Sequence, residues 1–280
     1  MNYRHAFHAG NFADMAKHAI LTRLLRDLAV GAAPLTVIDT HAGAGLYDLS
    51  ADASRRTGEA GAGIARLLAA VDAPAAFADL IAAVGRVNAR GEGRWYPGSP
   101  AIAAGLLRPR DRYIACEVRP DDHAALKAAL PPALAALTHL GDGWAHAARV
   151  APAAPAALLM LIDPPFERGD DYAQALDLTA KVLSLNPRAT VAIWAPIKDL
   201  ATFDGFLGEV EDAAAGAAVL AAEVRLRPLS DPMKLNGCAM VVVNPTPGLE
   251  AAAGAVVAWL ASTLGEAGAL GRATTTGGAA

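Results

Sequence analysis

The stretch Leu158-Leu159-Met160-Leu161-Ile162-Asp163-Pro164-Pro165-Phe166 decides how this chain is read. Five long aliphatic residues run without a polar break and stop at an acid, two prolines and an aromatic ring. Such a run is the pattern of a parallel strand buried on both faces. Pro164 and Pro165 have no N–H to extend a ladder, so the chain turns where the Asp163 carboxylate emerges. In open α/β sheets ligands lie beyond the carboxyl ends of the strands. An acid, two rigid carbonyl-bearing residues and a flat ring at that place suit a planar base carrying an amine.

Working outward, Leu35–Asp39, Tyr113–Glu117 and Thr138–Leu140 have the same strand character, and Ala189–Ala195 follows a helical span at Asp171–Leu185. A further helix is expected at Leu200–Val210. Ala222–Arg227 and Cys238–Asn244 then read as an antiparallel hairpin at a sheet edge. Near the start, Asn11 and Asp14 mark a helix beginning, and Phe12, Ala16, Ile20, Leu24 and Leu28 recur with helical spacing. Strands alternating with helices predict a doubly wound α/β sheet built from residues 1–50 and 111–270. Residues 51–110 break the alternation. Alanine-rich helical segments near Gly61–Val71 and Pro74–Asn88, with no convincing strand, predict a small helical insertion. The tail 271–280, GRATTTGGAA, reads as disordered.

The hydrophobic content of 54% is largely alanine, and the most apolar stretch, Ala251–Leu264, is too short and alanine-rich to span a membrane. The N-terminus lacks the apolar core of a signal peptide. Cys116 and Cys238 both fall in strand-like runs and read as buried, reduced thiols, which places the chain in the cytoplasm. A net charge of −4 argues against a broad nucleic-acid-binding surface. Any such contact is confined to a patch, and the candidate is Arg4, His5, His8, Lys17, His18, Arg23 and Arg26.

Four strand ends carry an acid: Asp39, Glu117, Asp142 and Asp163. In a parallel sheet these positions share one edge, which predicts four carboxylates converging on one crevice. Gly43-Ala44-Gly45 lets the backbone approach a ligand, but it is not G-x-G-x-x-G and no clear helix follows it. A pyrophosphate needs a helix N-terminus there, so a dinucleotide is disfavoured. Glu117 can accept both hydroxyls of a ribose and Asp142 an exocyclic amine. Together they describe a pocket for a nucleoside without a pyrophosphate.

These residues resemble class I S-adenosylmethionine-dependent methyltransferases, in which D-P-P-[YF] ends the fourth strand. The wider set is similar to the RlmJ family of bacterial 23S rRNA adenine-N6 methyltransferases. It comprises NYRHAFHAGNFADMAKH at 2–18, DTHAGAGLY at 39–47, RTGE at 56–59, YPGSP at 96–100, GDG at 141–143, IDPPF at 162–166 and VVVNP at 241–245. The resemblance implies a Rossmann-like seven-stranded sheet with an antiparallel last strand, and residues 1–30 as an element capping substrate and cofactor. It implies S-adenosylmethionine contacts from His18, His41, Gly43, Ser99, Glu117, Asp142 and Gly143, and no metal. Asp163, Pro164 and Phe166 take the catalytic positions, while Tyr3, His5 and Lys17 lie near the target nucleotide. Phe166 departs from the more usual Tyr, keeping a stacking face without its hydroxyl. The family further implies a cytoplasmic monomer acting on protein-free 23S rRNA, with no membrane partner.

On that reading Asp163 and the Pro164 carbonyl accept the two N–H bonds of an adenine amine while Phe166 stacks on the ring. Three other readings share much of the sequence, one of them a protein or small-amine methyltransferase, which more often shows Asn in place of Asp163. A DNA adenine-N6 methyltransferase would use the same chemistry, but no separate target-recognition domain is evident. A non-catalytic nucleic-acid-binding accessory protein would keep the fold without needing the strand-end acids.

Overall fold

The computed structural model describes residues 5–89, 93–135, 137–153, 156–230 and 235–278 of the 280. In chain order, α1 (Phe12–Ala29) leads into β1 (Leu35–Asp39) and the short β2 (Leu46–Asp48). Four small helices follow: α2 (Asp52–Thr57), α3 (Glu59–Ala62), α4 (Ile64–Ala69) and α5 (Ala78–Val87). Next come β3 (Trp95–Pro97), α6 (Ser99–Leu106), β4 (Arg112–Glu117), α7 (Pro120–Ala129), α8 (Pro132–Ala135) and β5 (Thr138–Leu140). The second half runs α9 (Gly143–Val150), β6 (Ala157–Ile162), α10 (Asp171–Leu185), β7 (Thr190–Pro196), α11 (Leu200–Ala213), β8 (Val219–Arg225), β9 (Gly237–Val243), α12 (Leu249–Leu264) and β10 (Leu270–Thr276).

The main sheet has eight strands in the order β10-β8-β9-β7-β6-β1-β4-β5. β6 lies between β1 and β7 and pairs in parallel with both. Its side chains alternate between two cores, as a strand covered on both faces requires. Leu159 and Leu161 join α1 and α12 in one cluster, whereas Leu158, Met160 and Ile162 join α10 and α11 in the other. The sheet is therefore sandwiched between helical layers, and the aliphatic run of β6 is its centre.

Two expectations are corrected. The tail is not disordered along its length: β10 pairs antiparallel with β8 from Leu270↔Arg225 to Thr276↔Val219. Its glycine and threonine content reads as linker, yet three successive β-branched threonines suit an edge strand. Arg272 fixes the pairing by donating to the buried Glu223 at 2.8 Å. The sheet thus gains an eighth strand, and the β8–β9 hairpin is interior rather than at the edge.

The insertion also contains a strand. β3 pairs antiparallel with β2 through Tyr47↔Tyr96, so the inserted helices hang from a two-stranded ribbon. Ile64, Leu67, Phe77 and Leu80 belong to the same core cluster as α1 and α12. Short alanine-rich helices cannot enclose a core of their own, and these complete the neighbouring one. α6, which follows the ribbon, packs on α1 and β4. Cys116 and Cys238 are both buried free thiols.

Removing residues 270–280 leaves the edge of β8 unpaired and Glu223 without its cation. Even ~2 kcal/mol of lost pairing lowers the melting temperature of a domain this size by roughly 4–8 °C. Thermal unfolding followed together with light scattering checks this, with added aggregation from the bared edge as the second expected sign.

Candidate active site

β1, β4, β5 and β6 end side by side, and a cavity of about 780 Å³ opens beyond their carboxyl ends. Its size is within the range of small-molecule and cofactor sites. Glu117, Asp142 and Asp163 line it. Asp39 does not. It is fully buried beneath the cavity, where Oδ2 accepts the hydroxyls of Ser99 at 2.7 Å and Tyr113 at 2.8 Å. Three acids therefore face the ligand space and the fourth supports Ser99. Burial raises the Asp39 pKa to about 6 against the lowering effect of both hydroxyls.

At the Glu117 end both carboxylate oxygens are anchored by backbone amides. Gly43 N donates to Oε2 at 3.0 Å and Arg119 N to Oε1 at 2.7 Å. Burial nevertheless pushes its pKa upward. Gly43 has φ 64°, a left-handed turn that glycine adopts without strain. Asp142 caps α9 by accepting from Trp144 N at 2.9 Å. A Cβ on Gly143 would lie 1.9 Å from the Thr40 carbonyl oxygen, so only glycine fits there. His41 stands edge-on to Trp144, with ring centroids 4.7 Å apart. Burial lowers its pKa to about 4, so this aromatic corner is neutral.

A chain of charges, buried at Asp14 and Lys17 and half-buried at His5 and Asp163, occupies the other end. Asn11 caps α1 by accepting from Asp14 N at 2.9 Å. The Asp14 carboxylate accepts from Gly10 N at 2.9 Å and faces His5 Nε2 at 3.0 Å and Lys17 Nζ at 3.1 Å. Lys17 continues to Asp163 Oδ2 at 2.6 Å. Burial raises the Asp163 pKa, and the Lys17 ammonium is the largest influence against it. His18, one residue on, is buried with Nδ1 2.8 Å from the Tyr96 hydroxyl, and burial takes its pKa down to about 3. The preceding segment is fastened to the insertion: His8 Nδ1 lies 3.0 Å from Glu59 Oε1, and Asn11 donates to Glu59 Oε2 at 2.9 Å.

His5, Lys17, His18, His41, Gly43, Ser99, Glu117, Asp142, Gly143, Asp163 and Pro164 all line the one cavity. Tyr3 lies outside the described residues. Phe166 departs from expectation. It is 4% exposed, sits in the core against Tyr172 at 4.6 Å, and is absent from the cavity lining. Its φ of 50° turns the backbone through a conformation unusual for a bulky residue and aims the ring inward. Trp194 of β7, half-buried, is the aromatic residue of this region that faces the cavity.

Of the basic patch read near α1, Arg4 lies outside the described residues and the cations of the helix itself are buried or ion-paired. Lys17 and His18 are buried, Arg23 pairs with Asp27 at 2.7 Å, and Arg26 pairs with Asp79. Sequence reasoning took Asp14 only as a helix-start acid, quoted Glu59 only within the RTGE motif without a role, and passed over Trp194. The i,i+3 spacing of Asp14 and Lys17 was the available signal for the first.

Fold and site together define a class I methyltransferase with a nucleoside-type cofactor pocket, and the amide-anchored Glu117 and the side-chain-free cradle at Gly143 fit S-adenosylmethionine. Residues 32–276 match the family described as "Ribosomal RNA large subunit methyltransferase D, RlmJ", and the chain belongs to that family. It is 34% identical over 268 residues to ribosomal RNA large subunit methyltransferase J of Escherichia coli (strain K12), covering 96% of this chain and 95% of that protein. It is also 34% identical to the protein of the same name from Haemophilus influenzae, covering 94% of each. A crystal structure of protein LPL1258 from Legionella pneumophila superposes with a TM-score of 0.84 at 27% identity, covering 97% of this chain and 98% of that one.

Two outcomes test the site. Gly143→Ala should abolish binding of S-adenosylmethionine in calorimetry, through the clash with Thr40. The neutral imidazoles His18 and His41 resist protonation when folded and accept it when unfolded, so both remove stability as pH falls below 6.5. Each contributes a slope of about 1.4 kcal/mol per pH unit. Asp39, with its raised pKa, acts in the opposite sense between about 6 and 3.8. His18→Gln should therefore flatten the loss of unfolding free energy between pH 6.5 and 5, measured by denaturant titration.

Proposed function

We propose that this protein transfers a methyl group from S-adenosylmethionine to the exocyclic N6 of an adenine in 23S rRNA. The observation that carries the reading is the Asp163-Pro164 tip of β6, held by Lys17 in the same cavity as Glu117 and Asp142. The names of the curated relatives and the motif resemblance support the choice of rRNA. When bound, the cofactor supplies an electrophilic methyl on a sulfonium.

The chain's own residues do the rest. Glu117 accepts the ribose hydroxyls, Asp142 and Gly143 border the adenine of the cofactor, and the His41–Trp144 corner gives it an apolar wall. Ser99 already donates its proton to Asp39, so toward a ligand it offers lone pairs, matched to an ammonium. Asp163 Oδ2 is held by Lys17, which leaves Oδ1 to accept one N6–H, while the Pro164 carbonyl accepts the other. Those two bonds draw the nitrogen lone pair out of conjugation with the ring. Oδ1 is also the nearest site for the proton that N6 loses after transfer. Lys17 opposes the effect of burial on Asp163, since an adjacent cation favours the carboxylate. His5 stands behind Lys17 through Asp14.

With Phe166 turned inward, Trp194 supplies the stacking face, a contact worth ~1–3 kcal/mol per base. Reaching a stacked adenine requires extrusion of the nucleotide or an open RNA loop. No helix of the described residues is long and apolar enough to cross a membrane. On the same reading the protein works as a cytoplasmic monomer on protein-free 23S rRNA.

Asp163→Ala should abolish transfer to 23S rRNA, read by mass mapping of nuclease fragments, while calorimetric affinity for S-adenosylmethionine changes little. Equal loss of both would remove Asp163 from its assigned role, and transfer to genomic DNA instead of rRNA would overturn the substrate. Lys17→Met should move the acid limb of the pH–rate profile to higher pH, because Asp163 then protonates more readily. Trp194→Ala should raise KM for RNA. Phe166→Ala should instead destabilise the fold, by about 3–5 kcal/mol for a lost core aromatic.

A further inference from the structure

Beside the cations of α1 and the cavity-lining Arg119 and Arg168, which pair with Asp122 and Asp170, positive charge reaches the cavity from three other elements. Arg66 on α4 is exposed and lines the cavity, its Nη2 donating to the Thr263 carbonyl at 2.8 Å. That bond uses one of five guanidinium donors. Arg227, just past β8, lines the cavity with a buried Nε that has no hydrogen-bond partner, only a 3.6 Å ion contact to Glu266. Lys198, just past β7, is exposed and donates to the Phe166 carbonyl at 3.2 Å. Among the described residues neither Arg66 nor Lys198 forms an ion pair with a carboxylate.

Their contacts locate them. Thr263 is in the last turn of α12 and Glu266 lies just beyond it, so Arg66 and Arg227 meet at that helix end. Lys198 sits beside the loop that follows Asp163. Leu226, Leu235 and Leu264, neighbours of the arginine site, also line the cavity and give it an apolar floor. A helix C-terminus attracts cations, which accounts for the single bond from Arg66. It does not account for Arg227, whose Nε makes only the 3.6 Å ion contact to Glu266 and no hydrogen bond, nor for Lys198, which is on another loop. A nucleotide swung into the Asp163 site carries backbone on both sides, and each side needs its charge met.

We propose that Arg66, Arg227 and Lys198 hold the backbone phosphates of the RNA nucleotides flanking the target adenine. The helical insertion thereby forms one bank of the RNA path. This rests on the functional reading above. Arg66 and Arg227 offer planar forks to phosphate oxygens, and Lys198 offers a point charge close to the reacting base.

The test is anisotropy binding of labelled, overlapping transcripts covering 23S rRNA, between roughly 50 and 200 mM salt. For the wild-type protein the slope of log K against log salt should be about −2 or steeper, at ~0.7 per phosphate contact. The double variant R66A/R227A should lose about 1.4 of that slope and K198A about 0.7. R66K/R227K should retain it, and calorimetric binding of S-adenosylmethionine should persist in all of them. Unchanged slopes with cofactor binding intact would overturn the proposal, as would a wild-type slope near zero. Should R66A/R227A fail to fold, K198A and the wild-type slope decide. Full salt dependence without methyl transfer to 23S rRNA would instead sink the functional reading and leave the phosphate contacts standing.

Discussion

One ammonium group shared by a buried and a half-buried carboxylate joins the halves of this site. Lys17 Nζ stands between Asp14 and Asp163, tying the first helix to the tip of the central strand. Breaking such a contact is costly because a lone charge would be left out of water. The geometry is over-determined: Asp14 is held by a backbone amide and a histidine, Asn11 caps the helix, and Glu59 of the insertion grips both Asn11 and His8. The Asp163 carboxylate is therefore fixed in place, and the Lys17 ammonium works against the rise in its pKa that burial causes.

The charge distribution follows from that arrangement. Glu117, Asp142 and Asp122 gather at one part of the cavity, whereas Arg66, Arg227 and Lys198 come from elements at another. A cofactor bearing positive charge and a polyanionic substrate need opposite surroundings. A chain of net charge −4 can meet both because each set of charges is local.

Much of this was legible before any coordinates. The β6 run and its D-P-P-F end are a strong local pattern, and the acids at 117, 142 and 163 follow from strand position alone. Asp39 shows the limit of that rule. Strand position sets the edge an acid reaches, but its direction came from Ser99 and Tyr113, hydroxyls 60 and 74 residues away. Phe166 misled for a related reason: its ring direction depends on one positive φ that no residue type announces. β2 and β3 are three residues each, too short for a period to show. β10 was hidden by a composition shared with linkers, since an exposed edge strand needs pairing partners rather than a hydrophobic stripe.

The placement of α1 has a consequence for how the molecule comes to be made. Thirteen of its 18 residues are buried, and its packing partners include β9 and α12, from the last quarter of the chain. α1 must therefore wait, apolar face uncovered, until β9 and α12 have left the ribosome. Contacts of such sequence separation slow folding and lengthen the exposure of sticky surface. The nascent protein is thus most in need of chaperone shelter at the helix that later lines its cavity.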